Sequence, residues 1–130
     1  MRRAITFALV LALLVPFVAR KASQEAKAQV AFVGAHLVPM GYQQIGAGTL
    51  ASATPLTVPS DSAGRAASYA FIQVDTANVR WRDDGTAPTA SVGVQLASAG
   101  SFWYAGTLSA IQFIAVSGSP VLNVSYYRAP

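Results

Sequence analysis

The residues best suited to chemistry lie close together in the stretch VRWRDDG, which runs from Val79 to Gly85. Two arginines flank a tryptophan, and the adjacent carboxylates Asp83 and Asp84 follow directly. A guanidinium binds carboxylate or phosphate through a planar fork of donors. A carboxylate pair can share a proton or hold a hard cation. The stretch therefore suggests three activities: acid–base catalysis, cation binding, or binding of single-stranded nucleic acid.

Catalysis is poorly supported by the spacing of these residues. Neighbouring residues of a strand point to opposite faces, so Asp83 and Asp84 would not share a proton there. The Asp-Gly pair at 84–85 is typical of a hairpin turn, because glycine readily takes a positive φ. The single histidine, His36, has no catalytic spacing to a serine or aspartate, and the nucleophile motif G-x-S-x-G is absent. We therefore predict no catalytic residues and a protein that is not an enzyme.

Metal and cofactor sites are not indicated either. The segment DDGTAPT lacks the alternating oxygen ligands of a calcium loop. The chain has no cysteine, which excludes disulfides and thiolate zinc sites. Neither of the glycine-rich phosphate-binding motifs is present. We predict no cofactor and no metal.

Nucleic-acid binding is disfavoured by the distribution of charge. The net charge of +4 belongs to residues 1–28, whereas residues 29–130 hold four arginines, four aspartates and no lysine. The neighbouring aspartates offset Arg80 and Arg82, and phosphate neutralisation supplies most of such affinity. We therefore predict Trp81 in the core, arginines paired with nearby carboxylates or with a neighbouring subunit, and no nucleic-acid partner.

The N-terminal segment MRRAITFALVLALLVPFVARK is apolar between two pairs of basic residues. Its apolar run, residues 4–19, is shorter than the about 20 residues of a spanning helix, and residues 26–28 form an A-x-A cleavage signature. A cleaved signal, a short membrane anchor and a retained arm all stay open, and we favour the arm, helical from about residue 5 to 18. The predicted organisation is an N-terminal segment, 1–28, and one domain, 29–130.

The remainder of the chain predicts strands. Short runs of strand-forming residues recur at spacings of about 8–12 residues between breaks of Gly, Ser, Asp or Pro. No helix pattern follows residue 30. The predicted strands are 40–45, 49–53, 69–75, 78–82, 91–96, 101–105, 110–116 and 121–127. We therefore predict an all-β fold, an antiparallel β-sandwich of jelly-roll type preceded by an apolar N-terminal helix or arm.

Alternation within the runs identifies candidate core residues. In YAFIQVD, Ala70, Ile72 and Val74 share one face of the strand. The core candidates are Phe71, Ile72, Val74, Trp81, Val94, Ile111, Phe113, Leu122 and Val124. They cannot all face one core, and Phe71 and Phe113 are the candidates for an outer face.

Two stretches, FIQVDTANVRWRDDGTAPTASVGVQL and WYAGTLSAIQFIAVSGSPVLNVSYY, resemble small structural proteins encoded by tailed bacteriophages. The resemblance lies in the order of V-R-W-R-D-D-G-T-x-P-T, an aromatic pair before GTLSAIQFI, and a closing LNVSYY, and it covers over half of the chain. It implies a head decoration, cement or accessory virion protein with a β-sandwich body. It also implies a location in the virion and contacts with other virion proteins, the major capsid protein first, and with copies of itself.

Composition agrees with a protein that is covered by partners. Charged residues make up 11% of the chain, against about 25% in average globular proteins. We predict a non-enzymatic virion structural protein that stabilises a phage particle through subunit contacts as a homo-oligomer. The alternative is a secreted or membrane-anchored β-sandwich module that binds carbohydrate or a receptor, since sandwich loops often carry binding sites. Membrane contact of residues 1–28 stays open for both functions.

Overall fold

The computed structural model describes residues 36–130, so the predicted signal, anchor or helical arm of residues 1–28 lies outside the described residues. The described chain forms eight strands and one helical turn, α1 (Ala47–Leu50). The strands are β1 (Val38–Ile45), β2 (Thr54–Pro55), β3 (Tyr69–Asp75), β4 (Val79–Arg82), β5 (Val94–Leu96), β6 (Ser101–Tyr104), β7 (Gln112–Ala115) and β8 (Val121–Arg128). Within residues 36–130, no helix combines the length and apolar character that crossing a membrane requires.

The strands form two antiparallel sheets of four strands each. Sheet A has the order β1-β8-β3-β6, and sheet B has the order β2-β7-β4-β5. Strands pair from the two ends of the described chain inward: β1 with β8, β2 with β7, β3 with β6, and β4 with β5. The chain is therefore one long hairpin whose successive strand pairs alternate between the sheets. The predicted all-β, antiparallel two-sheet architecture is confirmed.

The core forms where the two sheets face each other. In β3 the residues alternate between buried and half-buried along the whole strand, and β8 follows the same pattern up to Tyr126. Sheet B contributes Val79 and Phe113 to the same hydrophobic cluster. Each large apolar side chain taken out of water contributes about 1.5–3 kcal/mol, so this alternation fixes which face of each strand points inward.

Most of the predicted core residues are buried. Ile72, Val74, Ile111, Phe113, Leu122 and Val124 are fully buried. Trp81 is partly buried against this cluster. Phe71 lies on the outer face of sheet A, opposite in direction to its neighbour Ile72. The prediction for Val94 is wrong: its side chain is 56% exposed, because β5 is a three-residue strand at the edge of sheet B.

Two predicted strand positions are wrong for local reasons. Residues 47–50, placed partly in a strand by the sequence, form a helical turn in which the amides of Thr49 and Leu50 both donate to the Gly46 carbonyl at 3.1 Å. Leu50 is fully buried and the Thr54 hydroxyl donates to the Thr49 carbonyl at 2.8 Å, which holds the turn in place. The predicted strand at 91–96 begins later because the Val92 amide donates to the Thr89 hydroxyl at 3.0 Å, closing a turn.

Candidate functional site

The second of the two adjacent carboxylates, Asp84, organises the turn that follows β4. Its Oδ1 accepts the Thr86 amide at 3.1 Å, and its carboxylate pairs with the Arg82 guanidinium. The hydrogen bond from Arg82 holds the pKa of Asp84 below its ordinary value, and the same bond raises the pKa of Arg82. Gly85 has a φ of +80°. This is the geometry of an aspartate-initiated turn closed by an exposed ion pair.

Asp83 points to a different partner. Its Oδ2 accepts a 3.1 Å hydrogen bond from the hydroxyl of Tyr104, the last residue of β6. Burial raises the pKa of Tyr104, and the hydrogen bond to Asp83 raises it further. The two carboxylates therefore bind a tyrosine and an arginine separately, and they do not form a proton-sharing pair.

The arginines and the tryptophan of VRWRDDG stabilise the fold. Arg82 pairs with Asp84 as predicted, but the same prediction is wrong for Arg80. Arg80 donates to two backbone carbonyls, through Nε to Ala90 at 3.1 Å and through Nη1 to Gly93 at 2.8 Å. These bonds fasten the β4–β5 connection against sheet B. Arg80 thus uses two of its guanidinium nitrogens to hold one loop.

The Trp81 ring lies inside the sandwich, between the two sheets. It stacks on Phe102 with ring centroids 5.2 Å apart and an interplanar angle of 17°. It also meets the ring of Tyr104 edge-on at 6.2 Å. The ring that could have stacked on a base is thus engaged by aromatic neighbours from sheet A.

A metal centre is not formed in the part of the chain that the structure describes. Residues 36–130 contain no group of three or more His, Cys, Asp or Glu side chains that could hold a metal ion. His36 is exposed at the start of the described chain.

A small open cleft lies beside a bulge in β1, where the register of pairing with β8 shifts between Pro39 and Gly41. Its polar lining residues already bind one another. The Tyr126 hydroxyl donates to Gln43 Oε1 at 2.5 Å, and the same oxygen accepts the Thr57 amide at 3.0 Å. Burial raises the pKa of Tyr126 to about 12. The cleft lies between β1 and the segment after β2. The Tyr126 hydroxyl and the Gln43 side-chain oxygen that line it are both engaged in these hydrogen bonds.

The outer face of sheet A carries a cluster of three aromatic rings. The Trp103 ring of β6 packs against the rings of Phe71 in β3 and Tyr127 in β8, with ring centroids 5.2 Å from both. The interplanar angles are 52° and 48°, so neither neighbour stacks flat on the Trp103 ring. Trp103 is 54% exposed. An exposed aromatic ring braced by two others is typical of a binding surface.

A chain of polar side chains lies beside this cluster on the same face. Asn123 Oδ1 accepts hydrogen bonds from the Tyr42 hydroxyl at 2.6 Å and from Gln44 at 3.0 Å. Asn123 Nδ2 donates to Asp75 Oδ2 at 2.7 Å, and Gln73 donates to Asp75 Oδ1 at 3.4 Å. The bonds hold these amides and the carboxylate in fixed positions. We take this aromatic and polar surface, the outer face of sheet A, as the candidate binding site.

The sequence predicted which residues share a face of β3 and of β8, but it did not predict which strands lie side by side. Alternation placed Phe71 and Asp75 together on one face of β3, and Asn123 and Tyr127 together on one face of β8. Nothing in the spacing showed that β3 pairs with both β8 and β6, which brings Trp103 opposite Phe71. Local signals in the sequence therefore pointed to VRWRDDG and not to the outer face of sheet A.

Comparison with known proteins found no match to this chain among protein-family models, curated proteins or solved structures.

Proposed function

We propose that the protein is a non-enzymatic structural component of a bacteriophage virion, which stabilises the particle through contacts with neighbouring subunits. Its partners are other virion proteins, the major capsid protein first, and copies of itself, in a decoration, cement or accessory role. The sequence resemblance of VRWRDDG and LNVSYY to small phage structural proteins motivates the proposal.

The observation that carries the proposal is the strand order. The orders β1-β8-β3-β6 and β2-β7-β4-β5 match an eight-stranded jelly roll, in which a long hairpin is rolled into two sheets. We therefore propose a jelly-roll fold for residues 36–130. Jelly rolls form viral capsid domains, and they also form lectins and cupins. Because one fold serves several functions, the proposed virion role also needs support from the surface.

The surface supports a protein with partners. Val92 and Val94 are each more than half exposed in and beside the β4–β5 connection. The surface near β5 is thus apolar beside a short edge strand, which suits a subunit contact. We further propose that residues 1–28 are a retained helical arm, because an all-apolar helix cannot be covered by one face of a small sandwich.

Mass spectrometry of purified particles tests the proposal. Particles produced by the organism that encodes the chain are banded in a density gradient, and their proteins are quantified against the major capsid protein. We expect peptides of residues 36–130 in a fixed ratio to the capsid protein, together with peptides of residues 1–28. Absence of the chain from the banded particles would refute the virion role.

Deletion of residues 1–28 tests the arm separately. The truncated chain is expected to stay folded, with a β-rich circular dichroism spectrum, and to be missing from the particles. A truncated chain that assembles normally contradicts the arm. A mature chain that begins after residue 28 favours the exported binding module instead.

A further inference from the structure

We propose that the outer face of sheet A binds a chain of neutral sugars, with Trp103 as the stacking ring and Asn123 with Asp75 as the hydroxyl-binding groups. This goes beyond the proposed virion role and does not depend on it. Three features support the assignment: the exposed Trp103 ring, the hydrogen-bonded Asn123 and Asp75 side chains, and the absence of lysine and arginine among the outward-facing residues of sheet A.

The Trp103 ring is positioned for stacking before any ligand arrives. Phe71 and Tyr127 contact it at tilted angles from two different strands, while more than half of its surface stays exposed. The face of an aromatic ring is electron-rich and attracts weakly positive groups. The C–H face of a pyranose is such a group. Because the Trp103 ring is already held by its neighbours, it loses little side-chain freedom when a sugar packs against it.

The polar groups can bind hydroxyls without breaking their own network. Asn123 Nδ2 carries two N–H groups, and one of them donates to Asp75. Each Asp75 oxygen accepts one of the two hydrogen bonds described above and has a further lone pair. A sugar hydroxyl both donates and accepts, so it can donate to Asp75 and accept from Asn123 at the same time.

The spacing favours an oligosaccharide over a single sugar. Phe71 lies opposite both Trp103 and Ser125, whereas Asn123 lies opposite Gln73, one outward-facing position further along β3. Strands are about 4.8 Å apart and outward positions about 6.7 Å apart along a strand, so the backbones at Trp103 and Asn123 are separated by roughly 12 Å. More than one sugar unit is needed to reach both groups.

The charge of this face argues against a second copy of the chain as its occupant. The outward-facing residues of β1, β8, β3 and β6 include Asp75 and no lysine or arginine. In a symmetric contact the same patch meets itself, so two Asp75 carboxylates would be buried without a cation, which is strongly unfavourable. A nucleic acid would meet the same unpaired negative charge. A neutral sugar leaves Asp75 ionised and hydrogen-bonded.

Titration of the full-length chain with neutral oligosaccharides tests the proposal. The probes are cellohexaose, maltohexaose and fully N-acetylated chitohexaose, with glucose as the single-sugar comparison, and binding is measured by calorimetry and tryptophan fluorescence. We expect saturable binding of at least one hexaose, and glucose at least tenfold weaker. Trp103→Ala and Asn123→Ala should each weaken that binding at least tenfold.

Val94→Ala is the matched control, because Val94 is as exposed as Trp103 but belongs to sheet B. It should leave binding unchanged, and the thermal midpoint of every variant is measured to show that it is folded. Three results would overturn the proposal: no hexaose binds, binding survives Trp103→Ala, or Trp103→Ala dissociates an oligomer in light scattering. The incorporation of Trp103→Ala into particles is unaffected if the proposal holds, so failure here is distinguishable from failure of the virion role.

Discussion

The hydroxyl of Tyr104 donates a 3.1 Å hydrogen bond to Asp83, which joins the buried end of β6 to the acidic turn after β4. The Tyr104 side chain is closely packed against the backbone at Gly106, because a Cβ at that position would overlap the Tyr104 hydroxyl. Asp83 therefore serves the packing of the sandwich, while Asp84 shapes the turn. The adjacent carboxylates have separate structural roles.

Tyr104→Phe removes this hydrogen bond and should lower the free energy of unfolding by about 0.5–1.5 kcal/mol. Asp83→Asn should cost less, because the asparagine Oδ1 can still accept. Asp83→Ala removes the acceptor, so urea denaturation of Tyr104→Phe, Asp83→Ala and the double variant measures the coupling between the residues. If the two single effects add without coupling, the hydrogen bond does not contribute to stability.

Gly85→Val should destabilise the protein by about 1–2 kcal/mol, because a β-branched residue resists the left-handed conformation that this turn requires. The cost comes from the backbone alone, since the φ is +80° and a Cβ would meet nothing within 4 Å. Gly85→Asn is the matched control, since asparagine tolerates this conformation. Equal losses for valine and asparagine, measured by thermal unfolding, would contradict this explanation.

Stability should decline in alkali through Tyr126. Burial raises its pKa from 10.0 to about 12, so the folded state holds the phenolic proton more tightly than the unfolded state. This contribution is complete below pH 10 and is lost as the pH rises from 10 toward 12, by up to about 1.4 kcal/mol per pH unit.

Tyr126→Phe removes the ionisable group and should make this decline shallower. Urea unfolding is measured between pH 9 and 11, with pH 7 as the reference that isolates the cost of losing the hydrogen bond to Gln43. If stability declines with pH above pH 10 as steeply in Tyr126→Phe as in the unchanged protein, the pKa of Tyr126 is not raised in the folded state.

Truncation of Trp81 should destabilise the protein more than truncation of Trp103. Trp81→Ala opens the contact between the sheets and should cost about 3 kcal/mol, because it removes the ring stacked on Phe102. Trp103→Ala should cost about 1 kcal/mol or less, since its ring is more than half exposed. Chemical denaturation compares the two directly. A larger loss for Trp103 would assign it to the core and would remove the ring from the candidate site.

Alternation of side chains was enough to predict the strands and their inward faces. A residue of a strand points to the face opposite its neighbours, so YAFIQVD and VLNVSYY each show which side is buried before any partner is known. A second local signal identified the Asp-Gly turn, because tolerance of a positive φ is a property of the glycine itself. Alternation predicted a strand that includes β5 but wrongly placed Val94 in the core, because β5 is an edge strand that leaves this side chain exposed.

The sequence alone determined the class of fold, the strand faces and the acidic turn, because each depends on a residue and its near neighbours. Tertiary structure alone decided which strands pair. Pairing of β3 with β8 and β6 joins positions about 30 to 60 residues apart in the chain. Loop closure over such distances is not visible in the local spacing of residues. That pairing brings Trp103, Asn123 and Asp75 onto one surface. The tertiary structure also decided the partners of Arg80. The β4–β5 connection folds back beside β4, so Arg80 donates to the Ala90 and Gly93 carbonyls and not to a carboxylate.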